Sequence, residues 1–230
     1  MNTIEFECIR SNRKSIGIQI KGDGKVVVRA PKHVSDKFIR ECVSAREEWI
    51  SKKQAIIQER IDNNPPIKYV EGEFFMFLGK KFRLMFRTDD SHKKCKIYLE
   101  EGNLIYENGV RTSEEIQSQL ERWYRDAAQK VVEDRIEIYS KYYDVEPALI
   151  KVKTQKKRWG SCSSKKHLLF NWSLIKAPIE VLDYIVIHEM SHMVHMNHSK
   201  KFWDLVGTIM PNYKIYAEWL KKNGHIINKC

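Results

Sequence analysis

The sequence predicts an α+β protein with a β-rich N-terminal region and a more helical C-terminal region. Apolar and polar residues alternate through much of the first half, whereas apolar residues recur at helical spacing through most of the second half. One helical segment contains the sequence H-E-x-x-H, which begins at His188. We therefore expect two regions: residues 1–110, rich in strands and including one long helix, and residues 111–230, which contain the motif.

The N-terminal segment predicts a hairpin followed by a helix. Residues 15–21 and 25–29 alternate on either side of a Gly-Asp-Gly turn signal, which predicts two antiparallel strands. The spacing then predicts a helix over residues 35–60, with a serine at its N-cap and with Trp49 as a core anchor. The Asn-Asn-Pro-Pro run at 63–66 predicts the end of this helix and a linker.

The middle of the chain predicts two further hairpins and a long helix. Residues 74–78 and 82–86 flank a Gly-Lys-Lys turn, and residues 96–99 and 103–106 flank a Glu-Glu-Gly turn. The aromatic residues of these strands are expected to pack in a core. A one-sidedly apolar helix, capped by a serine, is predicted over 113–142 and should pack along the motif helix.

The last third predicts two strands and three helices. Strands are expected at 149–155 and 167–172. The motif helix is expected over 179–195, because a proline precedes it and a glutamate occupies its first turn. Further helices are expected after Ser199 and after Pro211.

The chain is basic, with 41 lysines and arginines against 30 aspartates and glutamates and a net charge of +11. Such a balance permits association with nucleic acid or with acidic surfaces. The lysines are scattered along the sequence, however, so net charge alone does not predict a nucleic-acid interface.

Cysteine usage and hydropathy indicate the compartment. The five cysteines are odd in number and show no C-x-x-C spacing, and the N-terminus lacks the pattern of a signal peptide. No run approaches the ~18 apolar residues of a membrane helix. We expect a reduced cytoplasmic protein without membrane association, whose metal chemistry would depend on histidines and carboxylates.

The H-E-x-x-H motif predicts a metal site. His188 and His192 lie four residues apart, so on a helix both imidazoles project from one face and can reach one ion. Glu189 lies beside them and can accept a proton from the attacking water, as in zinc metallopeptidases. The alternative is a pair of histidines with no metal, but buried imidazoles would then need other partners.

A catalytic zinc usually has three protein ligands and one open position, and three residues are candidates for the third ligand. His198 follows Asn197, which can end the helix and let the chain turn back toward the first two histidines. His195 would lie about 60° from His192 on a continuous helix, yet ligands strung along one straight helix surround a tetrahedral ion poorly. Glu218 is the third candidate, since a following helix can supply a glutamate.

Several motifs together resemble the YgjP-like small metallopeptidases, which are relatives of the SprT-type zincins. The resemblance is carried by R-W-G-S-C-S at 158–163, F-N-W-S-L-I at 170–175, D-Y-I-V-I-H-E at 183–189 and N-H-S at 197–199. It is specific over about residues 155–220 and looser in the N-terminal half. The resemblance implies a zincin-like fold, with a small sheet and an active-site helix.

The resemblance also implies the ligands and the base. One Zn²⁺ per chain would be held by His188, His192 and His198, with Glu189 as the general base.

A substrate-binding strand is implied as well. It would contain or adjoin Arg158, Trp159, Gly160 and Ser161 and border the cleft, where an extended peptide can add to its edge. Gly160 would permit close approach of the backbone.

Two further roles stay open. Tyr213, Tyr216 and Arg158 are candidates for a donor that stabilises the oxyanion, but a structural role explains each of them better. Cys162 is expected to be a small buried residue rather than a nucleophile, because a zinc site needs no thiol chemistry.

The leading hypothesis is a zinc-dependent metallopeptidase that hydrolyses protein or peptide substrates. One alternative is a DNA-associated protease of the SprT type, which the net charge permits but the cysteine spacing, lacking a zinc finger, does not favour. Another is a basic binding protein with a non-catalytic metal site, against which the intact His188, Glu189 and His192 argue.

Overall fold

The chain forms two compact units, residues 1–66 and residues 67–230. The computed structural model describes residues 4–63, 67–91, 93–155 and 157–227. The boundary expected between residues 110 and 111 falls inside the second unit, because the central strands and the motif helix belong to the same unit. Asn64, Pro65 and Pro66 of the predicted linker lie outside the described residues.

The first unit is a three-stranded sheet with two helices. Its elements are β1 (Phe6–Ser11), β2 (Gly17–Ile20), β3 (Val26–Pro31), α1 (Asp36–Ser44) and α2 (Glu47–Asn63). The central strand β3 pairs in parallel with β1 and antiparallel with β2, so the predicted hairpin is confirmed. The core of this unit joins apolar residues of β3 to the two helices: Val26, Val28, Ala30, Ile39, Val43 and Ile50.

The single helix predicted over residues 35–60 is two helices. Ser35 caps the first one, since its hydroxyl accepts a hydrogen bond from the Phe38 N–H at 3.3 Å. The chain turns at Ala45 and the second helix begins at Glu47. The prediction that Trp49 anchors the core is wrong, because its side chain is 44% exposed while the neighbouring Ile50 is fully buried. Adjacent helical residues point about 100° apart, so only one of the two can face the sheet.

The second unit contains two small sheets and four α-helices among its described residues. Its elements are β4 (Phe74–Phe77), β5 (Lys80–Arg87), β6 (Lys96–Glu100), β7 (Asn103–Glu107), α3 (Ser113–Ser140), β8 (Leu149–Lys153), β9 (Gly160–Cys162), β10 (His167–Asn171), a 3-10 helix (Trp172–Lys176), α4 (Ile179–Ser191), α5 (Lys200–Ile209) and α6 (Tyr213–Ile227). The first sheet has the order β4-β5-β7-β6, and both predicted hairpins are antiparallel pairs in it. The second sheet has the order β8-β10-β9, so β9 is an edge strand.

The long helix α3 supports the motif helix α4, as predicted. Its N-cap is Thr112 rather than Ser113, because the Thr112 hydroxyl accepts the hydrogen bond from the Glu115 N–H at 3.3 Å. Arg135 of α3 holds the buried Asp183 of α4 with two hydrogen bonds, of 2.5 and 2.7 Å. Every fourth residue along one side of α3 is buried in the same core: Ile116, Leu120, Tyr124, Ala128, Val132 and Ile136.

The turn between β4 and β5 braces the start of α4. The Leu78 N–H donates to the Ile175 carbonyl at 2.7 Å. Gly79 has a φ of +76°, and a Cβ atom there would lie 2.9 Å from the Cα of Pro178, the residue before α4. Only a glycine meets both the positive φ and the close approach, so this turn fixes where α4 begins.

Across the described residues, none of the helices combines the length and the apolar character that a membrane span requires. Cys8, Cys42, Cys95 and Cys162 are all free thiols.

Candidate metal centre

The motif lies at the C-terminal end of a buried helix. Residues 181–187 of α4 are all buried, and α4 ends at Ser191 instead of continuing to residue 195 as predicted. His192 is the C-cap, and the following turn is closed by hydrogen bonds from the N–H groups of Val194 and His195 to the Ser191 carbonyl, at 3.1 and 2.9 Å. The chain therefore leaves the helix axis directly after the motif.

This turn brings a third histidine to the motif. His188, His192 and His198 each offer one ring nitrogen, and the three nitrogens lie within 4.8 Å of one another. The Nε2 atoms of His188 and His198 are 3.0 Å apart. His198 comes from the segment before α5, so the cluster surrounds a common point from two elements.

The other two candidates for a third ligand point elsewhere. The Glu218 carboxylate lies 3.9 and 3.7 Å from the ammonium groups of Lys221 and Lys222 on its own helix, α6. His195 contributes its backbone carbonyl, which lies 3.1 Å from Nδ1 of His192. Within the described part of the chain, neither side chain joins the histidine cluster.

The contact with His195 orients His192. A carbonyl oxygen can only accept a hydrogen bond, so Nδ1 of His192 carries the proton and Nε2 keeps its lone pair. Metal-binding histidines commonly donate their second ring N–H to a carbonyl in this way. Nε2 is thus the ring nitrogen of His192 whose lone pair could hold a metal ion.

The electrostatics of the cluster suit neutral imidazoles. Burial, together with the neighbouring His192 and His198, lowers the pKa of His188 to about 3. Burial is also the main cause that lowers the pKa of His192. Nδ1 of His188 is buried and has no hydrogen-bond partner among the described residues. Neutral imidazoles are the form that binds metals. The facing lone pairs of two neutral imidazoles, such as those of His188 and His198, repel each other unless a proton or a cation lies between them. The cluster therefore fits a metal ion with a preference for nitrogen ligands.

Aromatic side chains enclose the histidines. Phe202 lies against all three imidazoles, with ring centroids 5.0, 4.5 and 4.8 Å away. Trp203 stacks on His198 at 5.5 Å, and Tyr213 stacks in turn on Trp203 at 5.3 Å. These contacts limit the rotation of His198, whose ring is otherwise exposed.

Sequence reasoning missed one aromatic neighbour of the cluster. Tyr184 lies 5.9 Å from His188, centroid to centroid, and its own ring stacks on Tyr213. Its position four residues before His188, on the same face of a helix, was the available signal.

Glu189 is buried against the edge strand β9. Its side chain is 5% exposed, and a Cβ atom at Gly160 would lie 2.6 Å from both its Cγ and its Oε1. Burial raises the pKa of Glu189 to about 8, and the charge of Arg158 opposes this rise. A carboxyl group with a pKa near neutrality can both accept and release a proton under physiological conditions.

The free edge of β9 borders this carboxyl group. The Trp159 carbonyl accepts from the Asn171 N–H at 2.7 Å, and the Ser163 N–H donates to the His167 carbonyl at 3.1 Å. Because such pairs alternate along antiparallel strands, the main-chain groups of Gly160 and Cys162 point away from β10. They are available to pair with another extended chain.

The opposite edge of the same sheet is covered. The side chain of Gln129 on α3 accepts from the Val152 N–H at 2.8 Å and donates to the Ile150 carbonyl at 3.3 Å. This amide occupies the outer edge of β8, so among the residues that the structure describes, β9 is the outer strand of this sheet with main-chain groups left unpaired next to the cluster.

The remaining predicted site residues lie around β9 or in the core. Arg158 is exposed and Ser161 is half-buried. The ring of Trp159 packs against α6, where a Cβ atom at Gly224 would meet it at 2.7 Å. Tyr216 packs against the main core of the unit.

Comparison with known proteins gives one family. A family model described as YgjP-like, metallopeptidase domain, matches residues 14–223. No curated protein matches the sequence. The crystal structure of the metallopeptidase zymogen of Pyrococcus abyssi abylysin is similar over 40% of this chain and 93% of that one, with 23% identity and a TM-score of 0.37.

Proposed function

The chain belongs to the YgjP-like metallopeptidase family, and from that membership we propose that it is a zinc-dependent peptidase with an H-E-x-x-H active site on a zincin-like fold. The family itself implies a metal ion and a peptide substrate. The observation that supports the finer proposal is the cluster of three imidazoles beside a buried glutamate and an open strand edge.

The donor atoms favour zinc. His188, His192 and His198 would hold the ion through three ring nitrogens, which is a common ligand set of catalytic zinc and leaves one position open. When bound, zinc polarises the scissile carbonyl and increases the acidity of the attacking water.

Glu189 is proposed as the general base and then the general acid. Its carboxylate accepts a proton from the attacking water and afterwards gives that proton to the nitrogen of the leaving amine. Burial supports both steps, because a carboxyl group removed from bulk water has a higher proton affinity than an exposed one.

The edge strand β9 is proposed to hold the substrate. An extended peptide can pair with the main-chain groups of Gly160 and Cys162, which brings its backbone past the Glu189 carboxyl group. Arg158, Trp159 and Ser161 flank or form this strand. Main-chain pairing is independent of side chains, so the strand supports recognition of extended polypeptide in general.

Zinc content and cleavage of a mixed peptide library, compared between the wild type and Glu189→Gln, test the proposal. We expect about one zinc per chain in both proteins and at least about a 100-fold loss of cleavage in the variant. Wild-type protein purified without chelators that holds no zinc would contradict the zinc assignment. Cleavage that persists in Glu189→Gln would remove Glu189 from its role.

A further inference from the structure

Positive charge is concentrated around the edge strand β9. From residue 147 to residue 179 the chain contains no aspartate or glutamate, although acidic residues make up 30 of its 230 residues. The same segment contains eight basic residues: Lys151, Lys153, Lys156, Lys157, Arg158, Lys165, Lys166 and Lys176. This local imbalance is not apparent from the net charge of the whole chain.

Four of these basic residues lie at the two ends of β9. Lys157 and Arg158 precede the strand, and Lys165 and Lys166 lie in the turn that follows it. All four are exposed, and their side chains form no ion pair or hydrogen bond with any other residue that the structure describes. Arg158 acts on the buried Glu189 at longer range, since its charge opposes the rise in the pKa of Glu189. The charges of Lys157, Lys165 and Lys166 have no ion-pair partner among the described residues.

A peptide paired with β9 would lie between these two basic pairs. The outward main-chain groups of Gly160 and Cys162 lie between Arg158 on one side and Lys165 on the other. Extended chains advance about 3.3 Å per residue, so a substrate segment of about six residues spans from one basic pair to the other. Acidic side chains near both ends of such a segment would then approach unpaired cations.

We propose that this peptidase prefers acidic polypeptide segments, with aspartate or glutamate on both sides of the cleaved bond, and that Lys157 with Arg158 and Lys165 with Lys166 select them. The proposal rests on the peptidase function and on pairing at β9. A peptide is favoured over a nucleic acid because the strand edge presents main-chain donors and acceptors at peptide spacing, which a nucleic-acid backbone cannot pair with.

Two labelled peptides that differ only in charge test the preference. One has glutamates two to four residues on either side of the cleaved bond, and the other has glutamines there. The zinc-loaded wild type should cleave the glutamate peptide with a kcat/KM roughly three- to tenfold higher, through a lower KM, and added salt should reduce the difference. The double variant Lys165→Glu/Lys166→Glu should lose or invert the preference.

The matched control is Lys52→Glu/Lys53→Glu. These two lysines are also adjacent and exposed but belong to the first unit, and their reversal changes the net charge equally. The control should keep the wild-type preference. Equal kcat/KM for the two peptides in the wild type, or an unchanged preference in Lys165→Glu/Lys166→Glu, would overturn the proposal.

A binding measurement separates this proposal from the proposed function. If the wild type cleaves neither these peptides nor the mixed peptide library, the peptidase function fails, and fluorescence anisotropy with the same two peptides and the Glu189→Gln protein still decides the charge preference. Tighter binding of the glutamate peptide supports the proposal, and equal binding rejects it. Binding of a single-stranded oligonucleotide that Lys165→Glu/Lys166→Glu weakens, with no difference between the peptides, would identify a nucleic-acid surface instead.

Discussion

The Cα atom of Gly160 lies directly against the carboxyl group of Glu189. A Cβ atom at Gly160 would lie 2.6 Å from Cγ and Oε1 and 2.8 Å from Cδ of Glu189. Non-bonded atoms do not approach this closely, so either the strand or the glutamate side chain would have to move. The strand that is proposed to hold the substrate therefore also limits where the proposed base can lie. The two residues are in direct contact, so a larger side chain at one should displace the other.

Replacement of Gly160 by alanine should displace Glu189. We expect Gly160→Ala to retain zinc and to lose at least about tenfold in kcat, because small misplacements of a catalytic group are costly. Metal content and steady-state kinetics measure the two effects. Wild-type kcat in this variant would show that the contact has no positioning role.

A second substitution and a control sharpen this prediction. Aspartate is one methylene shorter than glutamate and would leave room for the alanine methyl group. The double variant Gly160→Ala/Glu189→Asp should therefore lose less activity than the product of the losses in the two single variants. Gly207→Ala is the control, because a Cβ atom there meets only Tyr213, at an ordinary 3.7 Å. It should keep full activity.

Two histidines of the same turn should differ in their effect on zinc. His198→Ala removes an imidazole of the cluster and should weaken zinc binding by more than the 10–100-fold that loss of an outer hydrogen bond typically causes. His195→Ala should retain zinc, because His195 contributes only its backbone carbonyl. Competition with a chromophoric chelator measures both affinities. Equal loss in the two variants would contradict this division of roles.

The Arg135–Asp183 pair should contribute to stability. Asp183 is 4% exposed, so Arg135→Leu leaves a buried carboxylate without its partner. We expect the free energy of unfolding to fall by about 3 kcal/mol, at the low end of the usual range because Arg135 is itself partly exposed. Urea unfolding of chelator-treated protein gives the value. Lys222→Ala, which removes an exposed partner of Glu218, should cost less than about 0.5 kcal/mol.

Cys162 should be an unreactive thiol. Burial, with a smaller contribution from the charge of Glu189, raises the pKa of Cys162 to about 11. Below pH 11 the neutral thiol therefore predominates, and at pH 8 only about one molecule in a thousand is the thiolate. Alkylation by iodoacetamide at pH 8, followed by peptide mass analysis, should be slower at Cys162 than at the exposed Cys8. It should accelerate about tenfold per pH unit toward pH 10.

Peptide cleavage by a Cys162 variant is a second test of whether this thiol is reactive. Cys162→Ala should retain wild-type cleavage, because no step of the proposed reaction uses the thiol. Faster alkylation of Cys162 than of Cys8 at pH 7, or loss of cleavage in Cys162→Ala, would indicate a reactive cysteine.

Hairpins were predicted well, and element ends less well. The β2–β3, β4–β5 and β6–β7 pairs are local, because strand alternation and turn residues lie next to each other in the sequence. The break after α1, the cap at Thr112 and the end of α4 at Ser191 were missed. Thr112 and Ser113 are adjacent and either can cap a helix, so the local sequence does not choose between them. The other two ends depend on the elements that each helix packs against, and neighbours distant in sequence leave no local pattern.

The sequence by itself determined the chemistry that the chain offers. The spacing of His188, Glu189 and His192 places them within one turn of a helix, because helical geometry is local and periodic. The motifs around residues 158–163 and 197–199 likewise indicated the family before any coordinates. These inferences need only the order of residues along the chain.

Only the tertiary structure decided which residues meet. In the folded chain, the turn after Ser191 brings His198 close to His188, while Glu218 pairs with lysines on its own helix. The fold also places Gly160 in contact with Glu189, and β9 lies at the edge of its sheet. The reason is physical: contacts between elements depend on sheet order and helix packing, which the whole core determines and no local spacing encodes.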